Sequence, residues 1–137
     1  MPLTKEQART ISRNFLELSH ELGSYRFANW DRLTPSQRQQ IESIEWDVLN
    51  YSSSFITTAV GITLGNLQDD LRVINEATSQ AKKVVATIQE VKDVLQIAAG
   101  VVMLGGAIAS RNPSAIAGAA QDLWESSQKV LAKKKSF

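Results

Sequence analysis

The sequence predicts an all-α fold, an elongated bundle of about four helices in which a long third helix leads into a Gly/Ala-rich apolar helical hairpin. Apolar residues recur at steps of three and four along most of the chain, which is the spacing of one helix face. Thr4 with Gln7, and Thr34 with Gln37, have the spacing of capping boxes, which mark helix starts. Residues 52–65 are rich in β-forming types but have no second strand candidate to pair with. Helices therefore account for the pattern better than a sheet does.

Length and composition fit a single helical domain covering residues 1–137. The chain is 43% apolar and 21% charged, the balance of a folded protein. It has no Cys, which excludes disulfides, thiol nucleophiles and Cys-based zinc sites. The net charge of +1 gives no argument for nucleic acid as a partner. Residues 94–137 carry five basic and two acidic groups, so the basic excess lies towards the C-terminus.

The first helix is predicted over residues 4–22, followed by an aromatic linker over residues 23–33. Gly23 suits the position after a helix end, because it adopts positive φ without a Cβ clash. The linker contains Tyr25, Phe27 and Trp30 among charged residues. These aromatics either cover an end of the core or form a partner patch, since aromatic and Arg residues are enriched at interface hot spots.

The second helix is predicted over residues 34–65. Its apolar face keeps the steps of three and four. Residues 52–65 contain poor helix formers and are also consistent with a strand, but the helical phase continues through them. Gly61 and Gly65 have the G-x-x-x-G spacing, which either lets two helices approach closely or ends the helix near Asn66.

The third helix is predicted over residues 67–109 as one long element. Its apolar residues recur every seven positions, a repeat that suits a bundle or a coiled coil: Leu67, Ile74, Ala81, Ile88, Leu95 and Val102. Such a helix would be about 60 Å long at 1.5 Å per residue. We therefore expect either a break at Gly100 or at Gly105 and Gly106, or an elongated molecule.

Residues 94–120, here called the apolar segment, are the most unusual part of the sequence. Arg111 is the only charged residue among them, and Gly and Ala are frequent. A turn is predicted at residues 110–114, where Asn112 can cap a fourth helix over residues 113–133 that starts with Pro113. Two apolar helical arms are thus expected on either side of the turn.

No residue pattern predicts an enzyme, a cofactor or a metal site. Glu17 and His20 have the spacing of one half of a di-iron site in a helical bundle, but His20 is the only histidine. Asp69 and Asp70 are neighbours on a helix and point about 100° apart, so they do not form an acid/base pair. There is no nucleophile motif and no phosphate-binding Gly loop. We expect no catalysis, no cofactor, no small-molecule substrate and no nucleic-acid partner.

Three interpretations of the apolar segment remain open. It is the core of a soluble helical bundle that serves as an adaptor or scaffold for a partner protein, or it is membrane-active, or it mediates self-assembly through its small residues. Two short apolar arms joined by a polar turn resemble the design of α-helical pore-forming toxins and pore-forming bacteriocins. The resemblance is one of architecture, covers residues 94–120 and implies insertion into a membrane. Each arm holds about a dozen apolar residues, fewer than the roughly 20 that cross a bilayer.

The favoured prediction is a non-enzymatic helical protein that acts through the apolar hairpin, is membrane-interacting or pore-forming-like, and forms homo-oligomers. Its partners are then further copies of the chain together with membrane lipid or a helical protein. We expect synthesis in the cytoplasm, with membrane association or export without a classical signal peptide as further options. The partner patch is predicted at Tyr25, Phe27 and Trp30. The residues predicted to contact membrane or another helix are Ile97, Val101, Val102, Leu104, Gly105, Gly106, Ile108, Ile116 and Gly118.

Overall fold

The structure, a computed structural model, describes residues 2–135 apart from the side chains of Ile56, Lys134 and Lys135. It contains five helices rather than about four: α1 (Lys5–Ala28), α2 (Pro35–Thr58), α3 (Leu67–Thr87), α4 (Val91–Ala109) and α5 (Pro113–Lys135). Within residues 2–135 there is no strand, and one isolated β-bridge joins Pro2 to Thr63. The all-α prediction is therefore confirmed.

The helices close into a ring in which each one packs on two main neighbours. Going round, α1 contacts α2, α2 contacts α4, α4 contacts α5, α5 contacts α3, and α3 returns to α1. A smaller contact joins α3 to α4, which follow each other along the chain. The inner faces share one apolar core, whose largest fully buried side chains include Phe15, Phe55, Ile74, Leu104 and Leu123. Every helix therefore buries one face and leaves another towards solvent.

Helix α1 is longer than predicted. It continues through Gly23 to Ala28, so the linker is reduced to a short turn before the Thr34 capping box. Gly23 is therefore not a helix end. It faces α2, and a Cβ there would lie 3.0 Å from Glu45 Oε1. Arg26 reaches the same carboxylate with its Nε at 2.6 Å, which fixes the last turn of α1 against α2.

Helix α2 is shorter than predicted, ending at Thr58 instead of residue 65. Gly61 has φ of 87°, so it forms a turn and not part of a helix. The backbone beyond it pairs with the N-terminus, where Leu3 N donates to Ile62 O at 2.8 Å and Gly61 N donates to Leu3 O at 2.9 Å. Of the two interpretations of the G-x-x-x-G spacing, the close helix contact is therefore wrong, and the helix end lies at Thr58 and not near Asn66. The β-forming residues act partly as a short extended segment.

The long third helix is two helices. α3 ends at Thr87, Ile88 is extended with φ of −92° and ψ of 131°, and α4 begins at Val91. The Ile88 side chain still lies in the core, which explains why the seven-residue repeat runs unbroken through the linker. The predicted breaks at Gly100 and at Gly105 and Gly106 are wrong, since all three lie within α4.

Candidate interaction site

Helix α4 is the part of the apolar segment with the most distinctive composition. Its only charged residues, Lys92 and Asp93, lie in its first turn. Within the described part of the chain it is the one helix that is long and apolar enough to cross a membrane, judged by length and composition. A buried core helix of a soluble protein has the same composition, so its surroundings must be considered.

Helix α4 buries only one of its faces. Of its most apolar window of 18 residues, 44% lies buried in the molecule. The inner face packs in the core through Val94, Ile97, Val101, Leu104 and Ile108. The outer face carries Ala99 and Met103, of which Met103 is 66% exposed, with Gln96 as the exposed polar residue near its start. An apolar strip of this helix therefore faces solvent.

The predicted interface residues divide between the two faces. Six of the nine are buried: Ile97, Val101, Leu104, Gly105, Ile108 and Ile116. Val102 and Gly106 are half-buried, and Gly118 is exposed with no atom within 4 Å of the place where a Cβ would lie. In this conformation most of the set contacts the body of the protein and only the remainder is accessible.

Small residues in α4 allow close contact with both of its neighbours. A Cβ on Gly105 would lie 2.8 Å from Tyr51 Cε2 and 2.9 Å from Tyr51 Cγ, so the Tyr51 ring of α2 packs directly on the backbone of α4. A Cβ on Gly100 would lie 3.1 Å from Leu123 Cδ1 of α5. Next to this second contact is a shallow groove of about 170 Å³, lined by Gln96, Ala99, Gly100, Met103, Ala119, Asp122, Leu123 and Ser126.

Polar side chains join α1 to α2 and to α3. Ser12 Oγ donates to Ser52 O at 2.6 Å, and Ser52 Oγ donates back to Ser12 O at 2.8 Å. Asn14 Nδ2 of α1 donates to Asn75 Oδ1 of α3 at 3.3 Å. By contrast, no described side chain of residues 94–109 hydrogen-bonds to α1, α2 or α3, and only Gln96 among them has a polar side chain. Apolar contact therefore holds α4 in place along its whole inner face.

Arg111 attaches the turn between α4 and α5 to the end of α2. Its guanidinium donates to the carbonyls of Thr58 and Val60, the latter at 3.2 Å. Thr58 is the last residue of α2, whose final turn has no basic residue of its own. Arg111 has φ of 55°, the left-handed region that non-glycine residues rarely adopt. The single charge of the apolar segment thus binds the turn to the end of α2. This role was not predicted from the sequence, and the one sequence signal for it is that Arg111 is isolated in an apolar run.

An ion pair and a buried hydroxyl lie at the other end of α4 and α5. Lys133 Nζ is 3.3 Å from Asp93 Oδ1, and the Asp93 side chain is buried. The hydroxyl of Ser127 is fully buried without a hydrogen-bond partner. An unpaired buried hydroxyl is costly, so the packing of α5 on the body is less than optimal at this position.

The predicted partner patch is only partly accessible. Tyr25 is buried, and its hydroxyl donates to Gln89 O in the α3–α4 linker at 2.8 Å. Phe27 and Trp30 are 68% and 43% exposed, and their rings stack with centroids 6.1 Å apart. We call this exposed pair the aromatic platform.

Of the half-motif, Glu17 pairs with Lys82 of α3 and His20 is exposed. The Glu17 carboxylate accepts a hydrogen bond from Lys82, and this bond lowers the pKa of Glu17 against the opposing effect of burial. Within the described residues no group of three or more His, Cys, Asp or Glu side chains is placed to hold a metal ion.

Comparisons of the chain with protein-family models, with curated proteins and with solved structures give no match.

Proposed function

We propose that this is a non-enzymatic, membrane-interacting protein whose α4 and α5 form a hairpin that leaves the body and inserts into a lipid bilayer. The observation that carries the proposal is the way α4 is attached. It has the composition of a membrane helix, a narrow apolar strip with Ala99 and Met103 already in solvent, and no side-chain hydrogen bond from residues 94–109 to α1–α3 among the described residues. Its inner face would exchange one apolar environment for another on insertion.

The length of α4 suits this proposal. Its 19 residues correspond to about 28 Å, close to the roughly 30 Å of a bilayer hydrocarbon core. Because α4 begins at Val91, Lys92 and Asp93 lie at its end and reach the headgroup region, where charges cost little. The apolar part of α5, residues 113–120, spans about 12 Å and is too short to cross the core, so this amphipathic helix lies at the surface that the turn reaches.

The charges around the hairpin favour an anionic membrane. Lys92 precedes the apolar stretch, Arg111 lies at its turn, and Lys129 and Lys133 lie near the end of α5. Each such residue near an anionic surface contributes about 1 kcal/mol to binding. Once inserted, the small residues of the two arms allow close contact between copies of the chain, and oligomerisation into a pore-like assembly is the corresponding proposal for self-association.

An engineered disulfide between α2 and α4 tests whether the hairpin must leave the body. Tyr51 Cγ is 2.9 Å from the position of a Gly105 Cβ, so cysteines at both sites come near the roughly 3.8 Å between Cβ atoms that a disulfide requires. The chain has no other Cys. Tyr51→Cys/Gly105→Cys protein therefore provides a locked and an unlocked form of one molecule, differing only in oxidation.

The measurement is dye leakage from vesicles of phosphatidylcholine and phosphatidylglycerol. We expect the wild type and the reduced variant to release dye and the oxidised variant to release little. Equal leakage by the oxidised and reduced forms would contradict release of the hairpin. A circular dichroism melt of both forms checks that each is folded.

The second candidate function is a soluble helical adaptor or scaffold that binds a partner protein, with the hairpin as permanent core. The burial of six of the nine predicted interface residues favours it. A wild-type protein that neither floats with anionic vesicles nor releases dye would support this candidate and exclude the first.

A further inference from the structure

The exposed aromatic platform, Phe27 and Trp30, is held in a fixed orientation by arginines. Arg26 Cζ lies 4.6 Å from the centroid of Phe27, and Arg38 Cζ lies 4.6 Å from that of Trp30. The arginines are themselves anchored: Arg26 binds Glu45, and Arg38 donates to Trp30 O at 2.7 Å and to Leu33 O at 2.9 Å. The two rings are nearly parallel, with an interplanar angle of 11°. Two large aromatic side chains thus keep exposed surface although an arginine lies against each ring.

We propose that the aromatic platform is an interfacial anchor that binds the headgroup region of an anionic bilayer before the hairpin moves. This rests on the proposed function for its choice of a membrane as the target. Tryptophan and other amphipathic side chains concentrate at the headgroup level, where an apolar ring and a polar edge are both accommodated. Arg26 is neutralised by Glu45, but Arg32 and Arg38 outnumber Asp31 in the same stretch, which complements anionic headgroups.

The platform lies beside the linker about which the hairpin would turn. Tyr25 and Arg32, which flank the platform in sequence, both hydrogen-bond to Gln89, the first through its hydroxyl and the second through Nη1 at 3.3 Å to the side-chain oxygen. Gln89 lies between the end of α3 and the start of α4. The opposite end of α4 is the one that Arg111 fastens to α2. An anchored platform therefore places the start of α4 at the membrane surface, and the far end moves once the Arg111 hydrogen bonds to α2 break.

The test compares the platform with a second exposed tryptophan. Phe27→Gln/Trp30→Gln removes the platform, and Trp46→Gln removes a side chain of α2 that is 59% exposed. Binding to anionic vesicles is measured by flotation over a range of lipid concentrations. We expect the platform variant to lose roughly tenfold or more in affinity, because transfer of an aromatic ring out of water contributes at least that factor. The Trp46 variant should change less than about twofold.

Two results would overturn the proposal. One is a platform variant that binds as tightly as the Trp46 variant, and the other is equal binding of wild type to vesicles with and without anionic lipid. Circular dichroism melts compare the platform variant and the Trp46 variant with wild type. The single variant Phe27→Gln, at the more exposed ring, replaces the double variant if the latter unfolds at a lower temperature.

The oxidised Tyr51→Cys/Gly105→Cys protein separates this inference from the proposed function. Its hairpin cannot leave, yet its platform is untouched, so we expect it to float with anionic vesicles and release no dye. If the wild type and the reduced variant also float in a manner that depends on Phe27 and Trp30 but release no dye, the anchor is supported and hairpin insertion is rejected. Leakage that requires reduction but is unaffected by loss of the platform would reject the anchor and support insertion.

Discussion

The ring of Tyr51 packs on Gly105 so closely that no other residue fits at this position of α4. A Cβ there would lie within 3.0 Å of three ring atoms, a separation that real Cβ atoms do not show. Tyr51 also stacks on Phe55, with ring centroids 6.0 Å apart, and Phe55 is fully buried. The contact therefore links α4 to the centre of the core, and a substitution at Gly105 cannot be accommodated by turning a flexible side chain away.

Gly105→Ala should destabilise the protein, and Gly118→Ala should not. Overpacking at Gly105 costs about 1–3 kcal/mol, of which the better helix propensity of Ala recovers up to about 1 kcal/mol. Gly118 lies in α5 with open space where a Cβ would be, so Ala there should stabilise by about 0.5–1 kcal/mol. Urea unfolding of both variants measures the difference. A Gly105→Ala protein as stable as Gly118→Ala would show that the Tyr51 contact is absent in solution.

The sequence predicts the helical class because capping and periodicity are local properties. The Thr4 and Thr34 capping boxes are both present, with the Thr and Gln side chains bonding to each other's backbone. These bonds form within one turn of helix and need no tertiary contact. The core faces of α1 and α3 are likewise the ones that the spacing of apolar residues indicates.

The errors in helix boundaries arise where tertiary contacts determine where a helix ends. Gly23 has the properties of a helix end, but it lies inside α1 where Glu45 of α2 approaches closely. No Gly or Pro marks the break at Ile88, and its apolar side chain keeps the core phase, so periodicity cannot detect it. The hydrogen bond from Tyr25 to Gln89 holds the linker, and these residues are far apart in sequence.

The site was predictable in composition but not in exposure. The run of apolar residues identifies α4 from the sequence, because composition alone separates it from the amphipathic helices. Which of its residues are accessible depends on the ring of neighbouring helices, and so does the burial of Tyr25 beside the exposed Phe27. The use of Arg111 depends on the carbonyls at the end of α2, which no local pattern encodes.

Arg111 should be replaceable by Gly at less cost than by Ala. Both changes remove the donors to Thr58 O and Val60 O, but only Ala keeps a Cβ at a φ of 55°. The left-handed conformation costs a non-glycine residue roughly 1–2 kcal/mol, so Arg111→Gly should be more stable than Arg111→Ala by about 1 kcal/mol. Thermal unfolding provides the comparison. Equal stability of the two variants would mean that the turn relaxes to a negative φ.

The same two variants test whether the Arg111 hydrogen bonds to α2 hold the hairpin against the body. Because both lack the bonds to α2, both should release dye from anionic vesicles faster than wild type, even where Arg111→Gly matches it in stability. Leakage that follows global stability alone, and not the loss of the bonds, would argue against a local release of the hairpin.

Ser127→Ala should stabilise the protein beyond the effect of helix propensity. The buried Ser127 hydroxyl has no partner, and leaving such a group unpaired costs about 1–3 kcal/mol. Ser126 precedes it in α5 and is half-buried, so Ser126→Ala reports the propensity gain of about 0.5 kcal/mol by itself. We expect Ser127→Ala to exceed Ser126→Ala by about 1 kcal/mol in denaturant unfolding. Identical gains would indicate that a water molecule satisfies the hydroxyl.

The ion pair between Glu17 and Lys82 should make a small contribution to stability that disappears in acid. Its hydrogen bond holds the pKa of Glu17 below the ordinary value, which is about 4.3. A lowered folded-state pKa means that the contribution is complete above the unfolded pKa and is lost as the pH falls through the folded one. Because the Glu17 side chain is 45% exposed, the contribution should stay below about 1 kcal/mol. Wild type should therefore exceed Glu17→Gln in unfolding free energy at about pH 7 and match it once the pH lies below the folded-state pKa of Glu17.

Lys82→Gln is the matched control for this pH dependence. If the ion pair is the cause, Lys82→Gln lowers the free energy of unfolding at neutral pH by the same amount as Glu17→Gln. The double variant should then be no less stable than either single variant, because each single change already breaks the ion pair. A double variant whose loss equals the sum of the single losses would instead assign the effect to separate contacts of the two side chains. Repeating the cycle at high salt should reduce the coupling, because a pair this exposed is screened by counterions.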